Sequence, residues 1–265
     1  MTDDKKAAAP LPPPPPPHEM TPCWSQDGVS VTRHAKSGIF VLHMHRQEQN
    51  LFNPTLVHLL SQALKVVEQA AHPKALIITG QGKFFSNGLD LAYLRQQQQC
   101  PQGHGALVEM VWRWLARLLV LDCRTVAAIN GHAFGAGWFV ALACDYRLLR
   151  TQRGYVCWPE VNLGMRLAKG FAELTKAKVS NATVWRDGVL TGQRYNAATA
   201  LQAGLIDAAC PIKELMTQAW ALAKAPQKFQ NFNSHSFAQM KMELYTDAYR
   251  ALTMAKADDA PHSRL

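Results

Sequence analysis

No uninterrupted apolar stretch of about 18 residues occurs in the chain, and its first residues, charged and then proline-rich, contain no apolar core of the kind that directs secretion. A membrane-spanning helix and an exported protein are both disfavoured, and a soluble intracellular protein is expected. The six cysteines, Cys23, Cys100, Cys123, Cys144, Cys157 and Cys210, form no C-x-x-C pair and have no histidine at metal-ligand spacing. Reduced thiols are therefore expected, with no structural zinc. Neither a G-x-G-x-x-G run nor a P-loop lysine is present, which disfavours the common nucleotide sites. No repeat of solenoid period is found. Acids are the scarcer charge, 19 against 28 lysines and arginines, for a formal net charge of +9. The excess forms no dense block and no regular basic-aromatic interleaving, so nucleic acid is not an expected partner. A positive field of this kind steers small anionic ligands.

What is present is enough for one α/β domain: 265 residues, 48% of them hydrophobic. Residues 1–22, with an unbroken run of six prolines from Pro12 to Pro17, read as a disordered tail. Residues 29–33 and 39–43 alternate as a hairpin around Ser37-Gly38. A helix is expected from an Asn53 cap to about residue 71, because Leu56, Leu59, Leu60, Leu64 and Val67 recur at helical spacing. Residues 75–79 and 126–130 read as buried parallel strands, 107–119 and 134–143 as helices, and 146–149 as a further strand. Helical patterns then dominate, at residues 171–179, 197–203, 212–223 and 237–256. Alternating strands and helices give an α/β fold with a helical C-terminal third.

Two glycine-containing loops each follow an expected buried strand and lead into a helix: residues 82–90, containing Ser86, Asn87, Gly88, Leu89 and Asp90, and residues 130–137, containing Gly135 and Ala136. Small residues let a backbone approach a ligand closely, and the first N–H groups of a helix lack partners and carry positive dipole character. Either loop alone is ordinary turn chemistry. Two converging N–H groups would make an oxyanion hole.

The joint pattern K-F-F-S-N-G-L-D, A-A-I-N-G-H-A-F-G-A-G-W, A-L-A-C-D-Y-R-L, W-P-E-V-N-L-G-M and L-T-G-Q-R-Y-N-A-A-T-A-L-Q-A-G-L-I-D resembles the enoyl-CoA hydratase/isomerase (crotonase) family in order and spacing over residues 28–210. Within that family it is most similar to the peroxisomal Δ3,Δ2-enoyl-CoA isomerases. The resemblance implies a crotonase-like ββα spiral whose core covers residues 23–210, with residues 211–262 a helical region of the same domain, assembled as a homotrimer or homohexamer. It implies an acyl-CoA substrate, no cofactor beyond the coenzyme A of that substrate, and an oxyanion hole from the backbone N–H groups of Leu89 and Ala136. Asn50 and Leu51 match a segment that lies along the coenzyme, and Asp90 is expected to cap a helix.

Two positions bear on the reaction the resemblance implies. Hydration in this family uses two carboxylates, and the position matching one of them holds Phe139, which cannot transfer a proton. The position matching the other holds Glu160. A single carboxylate suffices to move a proton from C2 to C4 of a 3-enoyl-CoA, and an apolar wall of Phe139 and Trp158 is expected to raise its pKa. Glu109 and His132 read as a polar-face residue and a helix-entry residue. The alternatives are a hydratase or another crotonase reaction, such as thioester hydrolysis, with an acid from elsewhere, and a catalytically silent acyl-CoA binder. The terminal Ser263-Arg264-Leu265 resembles the S-K-L tripeptide read by the peroxisomal import receptor. Peroxisomal location, or location in a related organelle, is the corresponding expectation.

Overall fold

The computed structural model describes residues 11–97, 103–224 and 232–257. The terminal tripeptide lies outside the described residues, as does the first half of the proline-rich segment. The strands are β1 (Met20–Gln26), β2 (Val29–His34), β3 (Ile39–Met44), β4 (Ala75–Gly80), β5 (Phe84–Ser86), β6 (Arg124–Ile129), β7 (His132–Phe134), β8 (Tyr146–Arg150), β9 (Val156–Cys157) and β10 (Ala208–Cys210). Seven of them form one sheet in the order β1-β2-β3-β4-β6-β8-β10, and β5-β7-β9 form a second. The β1-β2-β3 meander is antiparallel and every later pairing is parallel.

The centre of the large sheet is covered on both sides, which is why β4 is buried at all six positions and reads as a continuous apolar run. Leu76 and Ile78 face the main core with α1 (Pro54–Glu68) and α3 (Gly103–Leu119), while Ala75 and Ile77 face Leu215, Ala219 and Trp220 of α8 (Ile212–Lys224). The period-2 alternation of a strand thus feeds two cores at once. The Asn53 side chain accepts from Leu56 N–H at 3.0 Å and caps α1, and Pro54 occupies the first turn, where its missing N–H costs nothing.

Further helices are α2 (Leu91–Gln97), α4 (Ala136–Ala143), α5 (Lys169–Lys178), α6 (Ala182–Val184, continued by π-helical turns to Leu190), α7 (Ala197–Gln202), α9 (Ser234–Leu244) and α10 (Thr246–Met254). None of the described helices is long and apolar enough to cross a membrane.

Three boundaries differ from the sequence reading. Met20, Thr21 and Pro22 belong to β1 and not to a tail, because Met20 pairs with His34 and Thr21 with Arg33. The helix expected from residue 134 starts at Ala136: residues 132–134 are spent on the ladder of the small sheet. The long C-terminal helix is two, broken at Tyr245, whose backbone leaves the helical region at φ −119°.

Candidate active site

The second sheet positions the site. Its strands β5, β7 and β9 run parallel, so their C-terminal ends deliver Ser86 to Leu89, Gly135 and Ala136, and Pro159 and Glu160 to one edge.

The first of these loops is a shelf stapled from behind. Asn50, buried and at φ 48°, donates through Nδ2 to the carbonyls of Met44 and Phe85 at 3.2 and 3.0 Å and accepts from Arg46 N–H at 2.8 Å. Ser86 Oγ donates to Asn50 O at 2.7 Å and accepts from Gly88 N–H at 3.2 Å. A short parallel bridge adds Phe52 N–H to Gly88 O at 2.8 Å and Asp90 N–H to Phe52 O at 2.9 Å. The backbone hydrogen bonds on either side of Leu89 are therefore made, while Leu89 N–H has no partner among the described residues. Asp90 caps α2, its Oδ1 accepting from Tyr93 N–H at 3.0 Å.

The second loop lies directly against the first. A Cβ built on Gly88 would stand 2.9 Å from Phe134 O and 3.6 Å from Ala136 N, so only glycine, here at φ 89°, permits the contact. A Cβ on Gly137 would come within 2.6 Å of Ser86 O. These close approaches place the first turn of α4 on the shelf. The N–H of Ala136, at the start of that helix, also has no partner among the described residues. Two unpaired donors at one edge can stabilise negative charge on a single ligand oxygen.

Glu160 completes the edge. Pro159 fixes the backbone before it, and Glu160 opens a single 3-10 turn that ends at Gly164 in the left-handed region. Its Oε1 lies 3.8 Å from where a Gly135 Cβ would stand, and its Oε2 is buried without a hydrogen-bond partner among the described residues. Burial in this apolar setting pushes its pKa from 4.5 up to about 7. The cleft is lined by the Gly88-Leu89 and Gly135-Ala136 backbones, Glu160, and an apolar wall of Leu91, Leu163, Met165 and Phe171. Glu160 is the single carboxylate among its lining residues.

The structure thus brings Leu89, Ala136, Gly88, Gly135, Asn87 and Glu160 together, and it moves others back. Phe139 and Trp158 are fully buried and do not line the cleft, contrary to the expected wall. Phe139 stacks on Phe171 at 4.1 Å, so Phe171 presents the surface and Phe139 backs it. Trp158 donates to Thr175 Oγ1 at 3.1 Å and packs edge-on against Trp138. Asn50 and Ser86 are buried and spend their side chains on the shelf, which makes them positioning residues and not surface that a ligand can touch. Leu51 lies half-buried between the two bonded segments, and Asn87 Nδ2 donates to Gln49 Oε1 at 2.7 Å. Glu109 pairs with Arg113 and Lys256 and accepts from Ala257 N–H, tying α3 to the chain after α10. His132 is the first residue of β7, at the opposite end of that strand from Gly135, and does not line the cleft.

Sequence reasoning missed Leu91, Leu163, Met165 and Phe171. Leu163 and Met165 lie inside W-P-E-V-N-L-G-M, where their proximity to Glu160 was legible; Phe171 enters only because α5 folds back over the cleft. Among the described residues, no group of three or more His, Cys, Asp or Glu is placed to hold a metal ion.

The family model for enoyl-CoA hydratase/isomerase matches residues 34–261. Enoyl-CoA delta isomerase 3 of Arabidopsis thaliana is 30% identical over 240 residues, covering 88% of this chain and 99% of that protein. The peroxisomal enoyl-CoA delta isomerase 2 of the same plant is 32% identical over 182 residues, or 67% of this chain and 76% of that protein. An enoyl-CoA isomerase of Mycobacterium tuberculosis superposes with a TM-score of 0.75 at 27% identity, over 85% of this chain and 94% of that one. On its sequence, its crotonase fold and these similarities, the chain belongs to the enoyl-CoA hydratase/isomerase family.

Proposed function

We propose that the chain converts 3-enoyl-CoA to 2-enoyl-CoA by moving one proton on Glu160. The observation that carries this reading is the single carboxylate: among the residues lining the cleft only Glu160 can transfer a proton, whereas hydration by the paired-acid route needs two. Glu160 as carboxylate removes a C2 proton, and the electron pair delocalises through C1 and onto the thioester oxygen, leaving a dienolate with C1=C2 and C3=C4. The N–H groups of Leu89 and Ala136 hold that oxygen, each such donor contributing about 2.7–4 kcal/mol in comparable sites. Glu160 then returns the proton to C4, the C2=C3 double bond forms, and the carboxylate is regenerated. A base of pKa about 7 suits this shuttle, since it takes and gives the proton at neutral pH with little bias.

The test is turnover of a medium-chain 3-enoyl-CoA to its conjugated isomer, read by absorbance, in the native protein and in Glu160→Gln. Loss of turnover with retained thioester binding supports the proposal. Equal turnover in the variant places the base elsewhere, and binding without turnover by the native protein supports a silent binder or another reaction of the family.

Two Arabidopsis relatives are named peroxisomal, which supports the reading that the reaction belongs to peroxisomal fatty-acid oxidation. A fluorescent fusion ending in Ser263-Arg264-Leu265 is expected to enter peroxisomes; import that persists after deletion of Leu265 would overturn the role of the tripeptide.

A further inference from the structure

The N-terminal end of the small sheet carries a second concentration of chemistry that the reaction above does not use. His132, first residue of β7, stacks on Tyr155 with ring centroids 5.7 Å apart and planes at 5°. Its other neighbours are Phe84 at 5.3 Å and Phe134 at 5.2 Å. Cations cap this column of rings: Lys83 Nζ lies 5.3 Å from the Phe84 ring centre and Arg194 Cζ 5.3 Å from that of Phe134. Burial first, and then the charges of Lys83, Arg153 and Arg194, hold His132 below its ordinary pKa, so all three cations act on one point.

Beside the column is a pocket of about 300 Å³, lined by Arg150, Thr151, Arg153, Tyr155 and Asn196 among others, and holding no carboxylate among its lining residues. Its volume falls at the lower end of small-molecule sites. It shares no lining residue with the Glu160 cleft. Among the described residues none of Lys83, Arg150, Arg153 or Arg194 forms a salt bridge, although ten other lysines and arginines do. Arg150 is half-buried; its Nη1 donates to Asn130 O at 3.3 Å, and its Nε is buried with no hydrogen-bond partner among the described residues. Two like charges lining one pocket with no ion-pair partner repel one another, and a buried guanidinium N–H left unpaired costs free energy. A ligand rich in anionic oxygens would relieve both, because guanidinium groups match phosphate oxygens in charge and in fork geometry.

We propose that this pocket binds a polyphosphate anion, held by Arg150 and Arg153, with Lys83 and Arg194 on the adjoining column of rings. Nucleotide polyphosphates are the source that the flanking rings favour: Tyr155 is 40% exposed, and its aromatic surface is available for a base to stack on.

The experiment is calorimetric titration of the native protein with inorganic pyrophosphate and, separately, with ADP at fixed ionic strength. The comparison variants are Arg153→Glu/Arg194→Glu and a control, Lys65→Glu/Lys213→Glu, which changes the net charge equally at exposed positions on α1 and α8. Pyrophosphate is expected to bind the native protein and the control within threefold of each other, and to bind the Arg153/Arg194 variant at least tenfold more weakly. ADP binding tighter than pyrophosphate and weakened alike in the Arg153/Arg194 variant identifies a nucleotide source, and equal binding a free polyphosphate; ADP binding that the variant leaves unchanged belongs to the Glu160 cleft and overturns the nucleotide assignment. No saturable binding by the native protein, or an equal loss in both double variants, overturns it. Should the double variant melt early, Arg153→Gln alone is used, with at least a threefold loss required. The readout is binding, so it stands apart from whether Glu160 catalyses isomerisation.

Discussion

At the C-terminal end of the β5-β7-β9 sheet one carboxylate sits among Leu163, Met165 and Phe171; at the N-terminal end Lys83, Arg153 and Arg194 act on His132, and the adjoining pocket holds no carboxylate among its lining residues. The two ends are about three residues apart along β7, roughly 10 Å at the rise of a strand. What separates them is water. The cleft's apolar wall withholds solvent from Glu160 and raises its pKa, whereas Lys83, Arg153 and Arg194 at the other end are exposed residues. One short sheet therefore carries a buried carboxylate of raised pKa at one end and exposed cations at the other.

The largest expected effect is on the base. Glu160→Gln should lower isomerase turnover by roughly 10²- to 10⁴-fold, the usual contribution of a placed general base, with thioester affinity within threefold of native. A smaller loss would mean that the two ends are not divided as described.

Next is the close packing that joins the glycine loops. Gly137→Ala puts a methyl into the Ser86 carbonyl and should destabilise the fold by about 1–3 kcal/mol in urea unfolding, as overpacking does. A neutral result would show that the α4 turn is not held against the shelf.

The third concerns solvent. Turnover should rise with pH through a midpoint near 7, because Glu160 must be ionised to accept the proton. Leu163→Ala opens the wall at a residue already 47% exposed, and the midpoint of the pH-rate profile should fall toward 4.5. In stability the sign is opposite: a carboxyl whose folded pKa is raised favours the fold below its unfolded value, and that contribution is lost as pH rises from about 4.5 through about 7. Glu160→Gln should accordingly gain thermal stability over the native protein at pH 8 relative to pH 5. Last, Arg153→Glu should leave the pH-rate midpoint within a few tenths of a unit, since its charge lies at the exposed end; a larger shift would join the two ends electrostatically.

Much of the frame was legible because local chemistry carried it. The β4 run A-L-I-I-T, the Asn53 cap and the α1 spacing specify their elements without help from elsewhere, and Gly88, Gly135 and Glu160 announced themselves through short motifs. The small sheet was not legible: β7 and β9 span three residues and two, too short for any period to register. Pairing between distant segments makes them strands, and for that reason the helix start at residue 134 was misplaced. Met20 joined β1 for the same reason, its strand defined by a partner and not by its proline-bounded composition.

The sequence by itself determined which groups are present: a glutamate after a proline at 159–160, a phenylalanine at 139, and glycines where backbones meet. Tertiary structure decided what those groups face. It set Phe139 behind Phe171, turned Asn50 and Ser86 inward to staple a shelf, and brought Lys83, Arg153 and Arg194 to bear on one histidine. Burial and charge neighbourhood are sums over residues far apart in the chain, so no local pattern encodes them.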